Sequence, residues 1–229
     1  MKKHFFSFLL DSLFLVAAIF TFFVIFTVST GCQSNYERVD TLRDDGTLEA
    51  SWIAHRETGE KNGEYRLYSR DGMVVERSNY RNNHLHGTRF LFDEEGRKII
   101  EEHYRDGRLH GTYTAWFPDG GIRYTGNYED NAMEGIWTYY YPSGAVKEKV
   151  HFADSETSGP FTEFYEDGTL KAKGKYIAGE IEQDWLQLYD STGTLERLMH
   201  CNAGVCITQW TPDSGKAKLD EIWQEELQL

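Results

Sequence analysis

The sequence predicts an all-β protein: an elongated single-layer antiparallel meander of 24-residue β-hairpin repeats with a short C-terminal helix. Three observations carry that expectation. Glycines recur at a fixed interval, at Gly63, Gly87, Gly111, Gly135 and Gly159. Each is followed at constant offsets by an aromatic (Tyr68, Phe92, Trp116, Tyr140, Phe164), a second glycine (Gly72, Gly96, Gly120, Gly144, Gly168) and another ring (Tyr80, Tyr104, Tyr128, Phe152, Tyr176). No segment between the repeats has an apolar 3.6-residue period long enough for a crossover helix, so the strand pairing should be antiparallel. A constant period of this length marks a repeat array. A sixth copy is displaced by one residue, with Tyr189, Gly193, Cys201 and Gly204 in the corresponding places.

The unit around Gly111 shows how one repeat should fold. Thr112 to Phe117 is rich in threonine and aromatics, which suit a pleated, half-buried surface. Pro118-Asp119-Gly120-Gly121 is a turn sequence: proline presets φ, aspartate caps locally and glycine accepts positive φ. Ile122 to Tyr128 is the return strand, and Glu129-Asp130-Asn131 leads toward the next glycine. One such hairpin is marginal alone. Stacked copies turn its few apolar places into stripes, where each cross-strand aromatic pair adds ~0.5–1 kcal/mol.

The order along the chain follows. Residues 1–31 read as an export signal. Met1-Lys2-Lys3-His4 is basic, Phe5 to Val28 is apolar except for Asp11, and Ser29-Thr30-Gly31 precedes Cys32. Small residues ending in Gly-Cys resemble the lipobox of bacterial lipoproteins, although Ser29 stands where an aliphatic residue is usual. That resemblance implies cleavage before Cys32 and its acylation, hence a lipid tether to the cell-envelope membrane. An uncleaved transmembrane anchor is the competing reading, since the apolar run nears the ~20 residues that span a bilayer. Either way Lys2 and Lys3 keep the N-terminus inside and place the repeats outside the cytoplasm. Residues 32–42 read as a polar tether and 43–212 as the array. The array opens on a partial repeat, in which Asp45-Gly46-Thr47-Leu48 matches Asp167-Gly168-Thr169-Leu170. Cys201 and Cys206 flank the last inter-repeat turn, where a hairpin would place them opposite one another for a disulfide. Residues 213–229 read as a helix capped by Asp213 or Ser214. Its stripe of Leu219, Ile222, Trp223 and Leu227 should lie over the last strand and cover an open edge.

At this point the pattern resembles a known family. Gly111-Thr112-Tyr113-Thr114-Ala115-Trp116, then Gly120, Tyr128 and Asn131-Ala132-Met133-Glu134-Gly135, is similar to the MORN-repeat variant of bacterial proteins of the YwqK antitoxin family. The resemblance covers roughly residues 45–205. It implies a sheet that binds a partner, and in one branch the partner is a toxin protein.

Composition narrows the function. The formal charge of −13 becomes about −14 once Lys2, Lys3 and Asp11 leave with residues 1–31. So acidic a surface argues against nucleic acid and anionic lipid and would suit a basic protein partner. Catalysis is not expected: the chain has no nucleophile elbow, phosphate loop or zinc spacing. His86 and His110 share one slot and could form a ligand pair, but Glu134 and Ser158 fill that slot elsewhere, so no metal or other cofactor is expected. His103, His151 and His200 share another slot and should face solvent. The expectation is therefore a non-catalytic, membrane-anchored protein-binding or scaffold module of the cell envelope. Tyr68, Phe92, Trp116, Trp137, Tyr140 and Phe164 are its candidate binding surface. The alternatives are an immunity protein that neutralises a toxin and a glycan-binding lipoprotein.

Overall fold

The computed structural model describes residues 34–179 and 181–226; the expected export signal (1–31) and Cys32 lie outside them. The described residues from Tyr36 onward form one compact unit. Seventeen strands make one sheet: β1 (Tyr36–Leu42), β2 (Leu48–His55), β3 (Lys61–Tyr68), β4 (Val74–Arg81), β5 (His84–Leu85), β6 (Gly87–Phe92), β7 (Lys98–Arg105), β8 (Arg108–Leu109), β9 (Gly111–Trp116), β10 (Ile122–Glu129), β11 (Ala132–Tyr140), β12 (Val146–Ala153), β13 (Glu156–Phe164), β14 (Leu170–Ile177), β15 (Ile181–Tyr189), β16 (Leu195–Asn202) and β17 (Val205–Trp210). A 3₁₀ turn (Pro212–Ser214) and helix α1 (Lys216–Glu226) follow. Among the described residues every pairing is antiparallel and joins chain neighbours, except that β4 pairs with both β5 and β6 and β7 with both β8 and β9, so the sheet is an open meander. The count exceeds the dozen or so strands that the repeats suggest. Two units have an interrupted first strand (β5–β6 and β8–β9), and the chain before the array contributes one more.

That additional strand corrects the reading of residues 32–42 as a tether. Tyr36 to Leu42 pairs residue by residue with His55 to Leu48. Tyr36 packs edge-on to His55 at 5.5 Å, and Glu37 accepts an ion pair from Arg56 at 2.8 Å. A short polar stretch that carries Tyr36, Val39 and Thr41, residue types that suit a pleated surface, joins an existing edge readily.

Two kinds of turn alternate. Within a repeat, the residue after the +5 aromatic starts a type I turn closed by glycine. Ser69 N donates to Met73 O and Gly72 N donates to Ser69 O, and the pattern recurs at Asp93, Phe117, Tyr141, Tyr165 and Asp190. Between repeats, two residues with positive φ make a tight reversal: Asn82-Asn83, Asp106-Gly107, Asp130-Asn131, Asp154-Ser155 and Ala203-Gly204. These reversals are laddered. The second turn residue of each donates its N–H to a carbonyl in the preceding reversal's strand, as from Asn83 to Lys61 (3.0 Å), Gly107 to Leu85 (2.8 Å) and Asn131 to Leu109 (2.9 Å). Asn83, Asn131 and Ser155 side chains accept the reciprocal N–H from Lys61, Leu109 and Met133.

The repeat glycines mark bulges. Asn127 pairs with Glu134 but Thr125 pairs with Thr138, so Gly126 alone faces residues 135–137. Two extra residues enter there, and Gly135 takes φ +72°. The sixth copy explains its displacement: Ile177 pairs with Ile181, so three residues rather than two make that connection. Its bulge slot then falls on Asp184, at φ +64°, a conformation that aspartate tolerates better than most residues.

Helix α1 does not cover the last edge. Trp223 packs on Trp185 of β15, ring centroids 6.0 Å apart, and Trp210 Nε1 donates to Gly215 O at 2.8 Å. Val205 and Ile207 of β17 stay exposed. Thr211 and Ser214 form a capping box, but on the 3₁₀ turn rather than on the helix. Cys201 and Cys206 are directly paired across β16–β17, with Cα atoms 4.0 Å apart and the sulfurs bonded.

Candidate binding surface

Side chains alternate across the pleat, so each repeat offers two faces. One carries the core. Trp137, Val150, Phe161 and Ala172 are buried, and Tyr113, Tyr124, Tyr128, Tyr139, Phe152, Tyr176, Leu186 and Leu188 pack around them. The residue two after each repeat glycine meets the ring seventeen after it: Tyr65 and Tyr80 at 5.6 Å, Tyr113 and Tyr128 at 5.6 Å, Trp137 and Phe152 at 6.1 Å, Phe161 and Tyr176 stacked at 4.2 Å. Room for these rings comes from the facing strand. A methyl group on Gly126 would lie 2.2 Å from the Trp137 ring, and one on Gly174 would lie 2.8 Å from Phe161.

The candidate residues divide between the faces. Trp137 is on the core face with 1% of its surface exposed, so it is a structural centre and offers nothing to a partner. Tyr68, Phe92, Trp116, Tyr140 and Phe164 are on the opposite face and are half-buried. Among the described residues no ring-to-ring contact joins any two of them. One of them carries a cation: Lys98 Nζ sits 4.1 Å over Trp116 and 5.4 Å from the neighbouring Phe90, and Arg77 lies 4.7 Å over Phe90. An aromatic row was legible from the period. Its two-sided division follows from the pleat: the second and fifth places after a repeat glycine are three residues apart in one strand and so point to opposite faces.

Three arrangements on the core face escaped sequence reading. First, Lys61 Nζ lies among three rings, 4.5 Å from Tyr65, 5.0 Å from Tyr80 and 5.1 Å from Trp52. Second, Arg89 occupies a slot that holds an aromatic in Tyr65, Tyr113, Trp137 and Phe161. It bridges Glu76 at 2.9 Å and Glu102 at 3.2 Å, and Tyr104 donates to Glu102 at 2.9 Å. Burial opposes the charge of Arg89, but its bonds to Glu76 hold it more basic than usual. Burial, with these carboxylates nearby, also raises Tyr65, Tyr80, Tyr104 and Tyr128 above the ordinary tyrosine value. Third, the turn tyrosines Tyr141 and Tyr165 each donate to the +5 carbonyl of the next repeat, Phe164 O and Tyr189 O, at 2.9 Å. The signal was present as a tyrosine spaced 24 residues apart in two copies.

The histidines of the two repeated slots make local contacts. His86 Nδ1 faces Asp106 at 3.2 Å, and His110 Nδ1 lies 4.0 Å from Asp130, so each meets the next reversal rather than the other histidine. His103 and His151 reach across the bulge to Thr112 O (2.7 Å) and Ser158 O (2.8 Å). The expectation of a plain solvated slot missed that role. Among the described residues no three metal-ligating side chains cluster.

This geometry of periodic hairpins, glycine-closed turns and bulge glycines has a counterpart among known families. The family model described as MORN repeat variant matches residues 61–82, 109–130, 133–154 and 158–178. The chain carries MORN repeats of the variant class. The structure adds hairpins of the same build outside the matched segments, in β6–β7 and β15–β16. No curated protein matches the chain. Among solved structures, it has a likeness to the crystal structure of the GtfA/B complex bound to UDP and GlcNAc (16% identity, TM-score 0.23), covering 50% of this chain and 22% of that one. It also has a likeness to a porin-like protein from Bacteroides uniformis (9% identity, TM-score 0.21), covering 76% and 92%. This chain thus spans under a quarter of the first of these structures. At such scores neither likeness bears on fold or function.

Proposed function

We propose that this MORN-repeat sheet is a non-catalytic protein-binding or scaffold module, held at the cell-envelope membrane by a lipid on Cys32. The observation that carries the reading is the repeat array, which presents the same aromatic and charged slots at regular steps over one continuous sheet. Half-buried rings offer contact area at low entropic cost, because little rotamer freedom remains to be lost on binding. The acidic balance favours a basic partner. Anchoring is supported by the Gly31-Cys32 ending of an apolar, basic-headed segment. Among the described residues no helix is long and apolar enough to cross a membrane.

The test is capture from living cells. A tagged full-length chain at native level would be crosslinked, purified from the membrane fraction and its companions identified. One protein at near-equal amount supports the reading, and a secreted toxin in that position would make the module an immunity protein. Recovery of cell-wall glycan alone would sink it. Labelled fatty acid carried by the wild type and lost in Cys32→Ala would establish the anchor.

A further inference from the structure

On the core face, between the fifth and sixth repeats, lies a cleft of about 400 Å³. Its lining includes the rings of Phe161, Tyr165, Tyr176 and Tyr189, and three carboxylates, Glu163, Glu182 and Glu196, against one cation, Lys171. Lys171 is committed to Glu163 at 2.9 Å. Among the described residues neither Glu182 nor Glu196 has an ion-pair partner. Two tyrosine hydroxyls are turned to the protein itself: Tyr165 donates to Tyr189 O at 2.9 Å, and Tyr189 donates to Gln187 Oε1 at 2.6 Å. Beside the Tyr176 hydroxyl, the cleft offers a ligand ring edges, π faces and carboxylate oxygens. That set matches a ligand whose polar atoms are all donors, an ammonium or guanidinium. A sugar, which presents acceptors as well as donors, fits it poorly.

The same face shows how such a cation sits. At the other end of the array Lys61 places its ammonium 4.5–5.1 Å from three ring centroids. Lys61 stands two residues before the bulge position Gly63. The residue two before the sixth bulge position, Asp184, is Glu182. One slot therefore carries the chain's own cation at one end and a carboxylate at the other.

We propose that this cleft receives a lysine or arginine side chain from a basic segment of a protein partner. The inference rests on the protein-binding reading above and deepens it. The test titrates the full-length chain into a fluorescein-labelled octa-arginine peptide at low salt and follows anisotropy. Two double variants lose the same charge: Glu182→Gln/Glu196→Gln in the cleft, and Asp71→Asn/Glu94→Gln in distant exposed turns. The cleft pair should weaken binding about tenfold and the turn pair by about twofold at most. A third variant, Tyr176→Leu, should weaken the peptide with all carboxylates intact. Equal loss from both double variants, or none from either, would overturn the proposal, because net charge alone then explains binding. Circular dichroism spectra matching the wild type exclude loss of fold as the cause. Partner capture is scored separately. A captured protein that the cleft variants retain at wild-type level overturns the cleft and leaves the binding reading standing. Cleft-dependent peptide binding without any captured protein leaves the cation site and removes the partner.

Discussion

The core depends on a glycine whose backbone is ordinary. Gly126 does not have positive φ, so alanine there costs nothing in backbone strain. All of the cost is contact: the added methyl would lie 2.2–2.5 Å from three Trp137 ring atoms, and that ring is 99% covered. Neither partner has slack, since Tyr113, Tyr124, Tyr128 and Phe152 ring the indole at 5.3–6.2 Å. Overpacking costs ~1–3 kcal/mol, and evicting a tryptophan altogether costs ~3–5 kcal/mol. We expect Gly126→Ala to lose about 3 kcal/mol in a guanidinium melt followed by fluorescence and circular dichroism. Gly144→Ala is the control. Its φ is +87° with nothing near the new methyl, so it should lose only the ~1 kcal/mol of left-handed backbone strain. A smaller side chain opposite should absorb the methyl, so Gly126→Ala in a Trp137→Val background should cost about 2 kcal/mol less than in the wild type. If Gly126→Ala costs no more than Gly144→Ala, or the two core changes add without coupling, the argument that Trp137 is seated on Gly126 is wrong.

Other outcomes follow from the same geometry. Arg89→Met leaves Glu76 and Glu102 without their shared cation and should cost roughly 2 kcal/mol at neutral pH. A melting temperature below that of the wild type would show the loss, and an unchanged one would refute it. Tyr113 is raised above its ordinary 10.0 by burial and then by Tyr124, and ionisation therefore opposes folding. Its stabilising contribution is complete below pH 10 and lost above it, so Tyr113→Phe should blunt alkaline unfolding, and a fraction of tyrosines should titrate late by absorbance at alkaline pH. Cys201→Ser/Cys206→Ser opens a very short loop and should cost roughly 2 kcal/mol, with hydrogen exchange accelerated in β16 and β17 and unchanged in the middle of the array.

Much of the fold was legible because each cue is local and repeated. The glycine that closes each type I turn, the ring that follows each bulge and the Cys201–Cys206 spacing are visible within a dozen residues. The bulges themselves were not. Two extra residues opposite Gly126 leave the period at 24 and change only the partner across the strand, which one sequence does not display. Trp137 was grouped with Trp116, although it stands two places after its repeat glycine and Trp116 five, an odd offset that the pleat puts on opposite faces. Strand β1 was missed because its polar residues face water at an edge and lack a full apolar alternation. The helix was correctly expected near residue 216, but Trp223 found Trp185 rather than the free edge. The Arg89 bridge was hidden because its carboxylates come from strands on either side, 13 residues away in each direction.

The ladder of reversals has a consequence for how such a chain changes over time. Each of the six rungs spans 22 residues, whichever repeats it joins, and the hairpins beyond it are unaffected by how many precede them. Removing or duplicating one 24-residue segment in phase would restore every rung across the splice. Array length is thus an adjustable character, open to gain or loss of whole segments that share a geometry. The distance between the first strand and the acidic cleft can be reset in fixed increments, without redesigning either end.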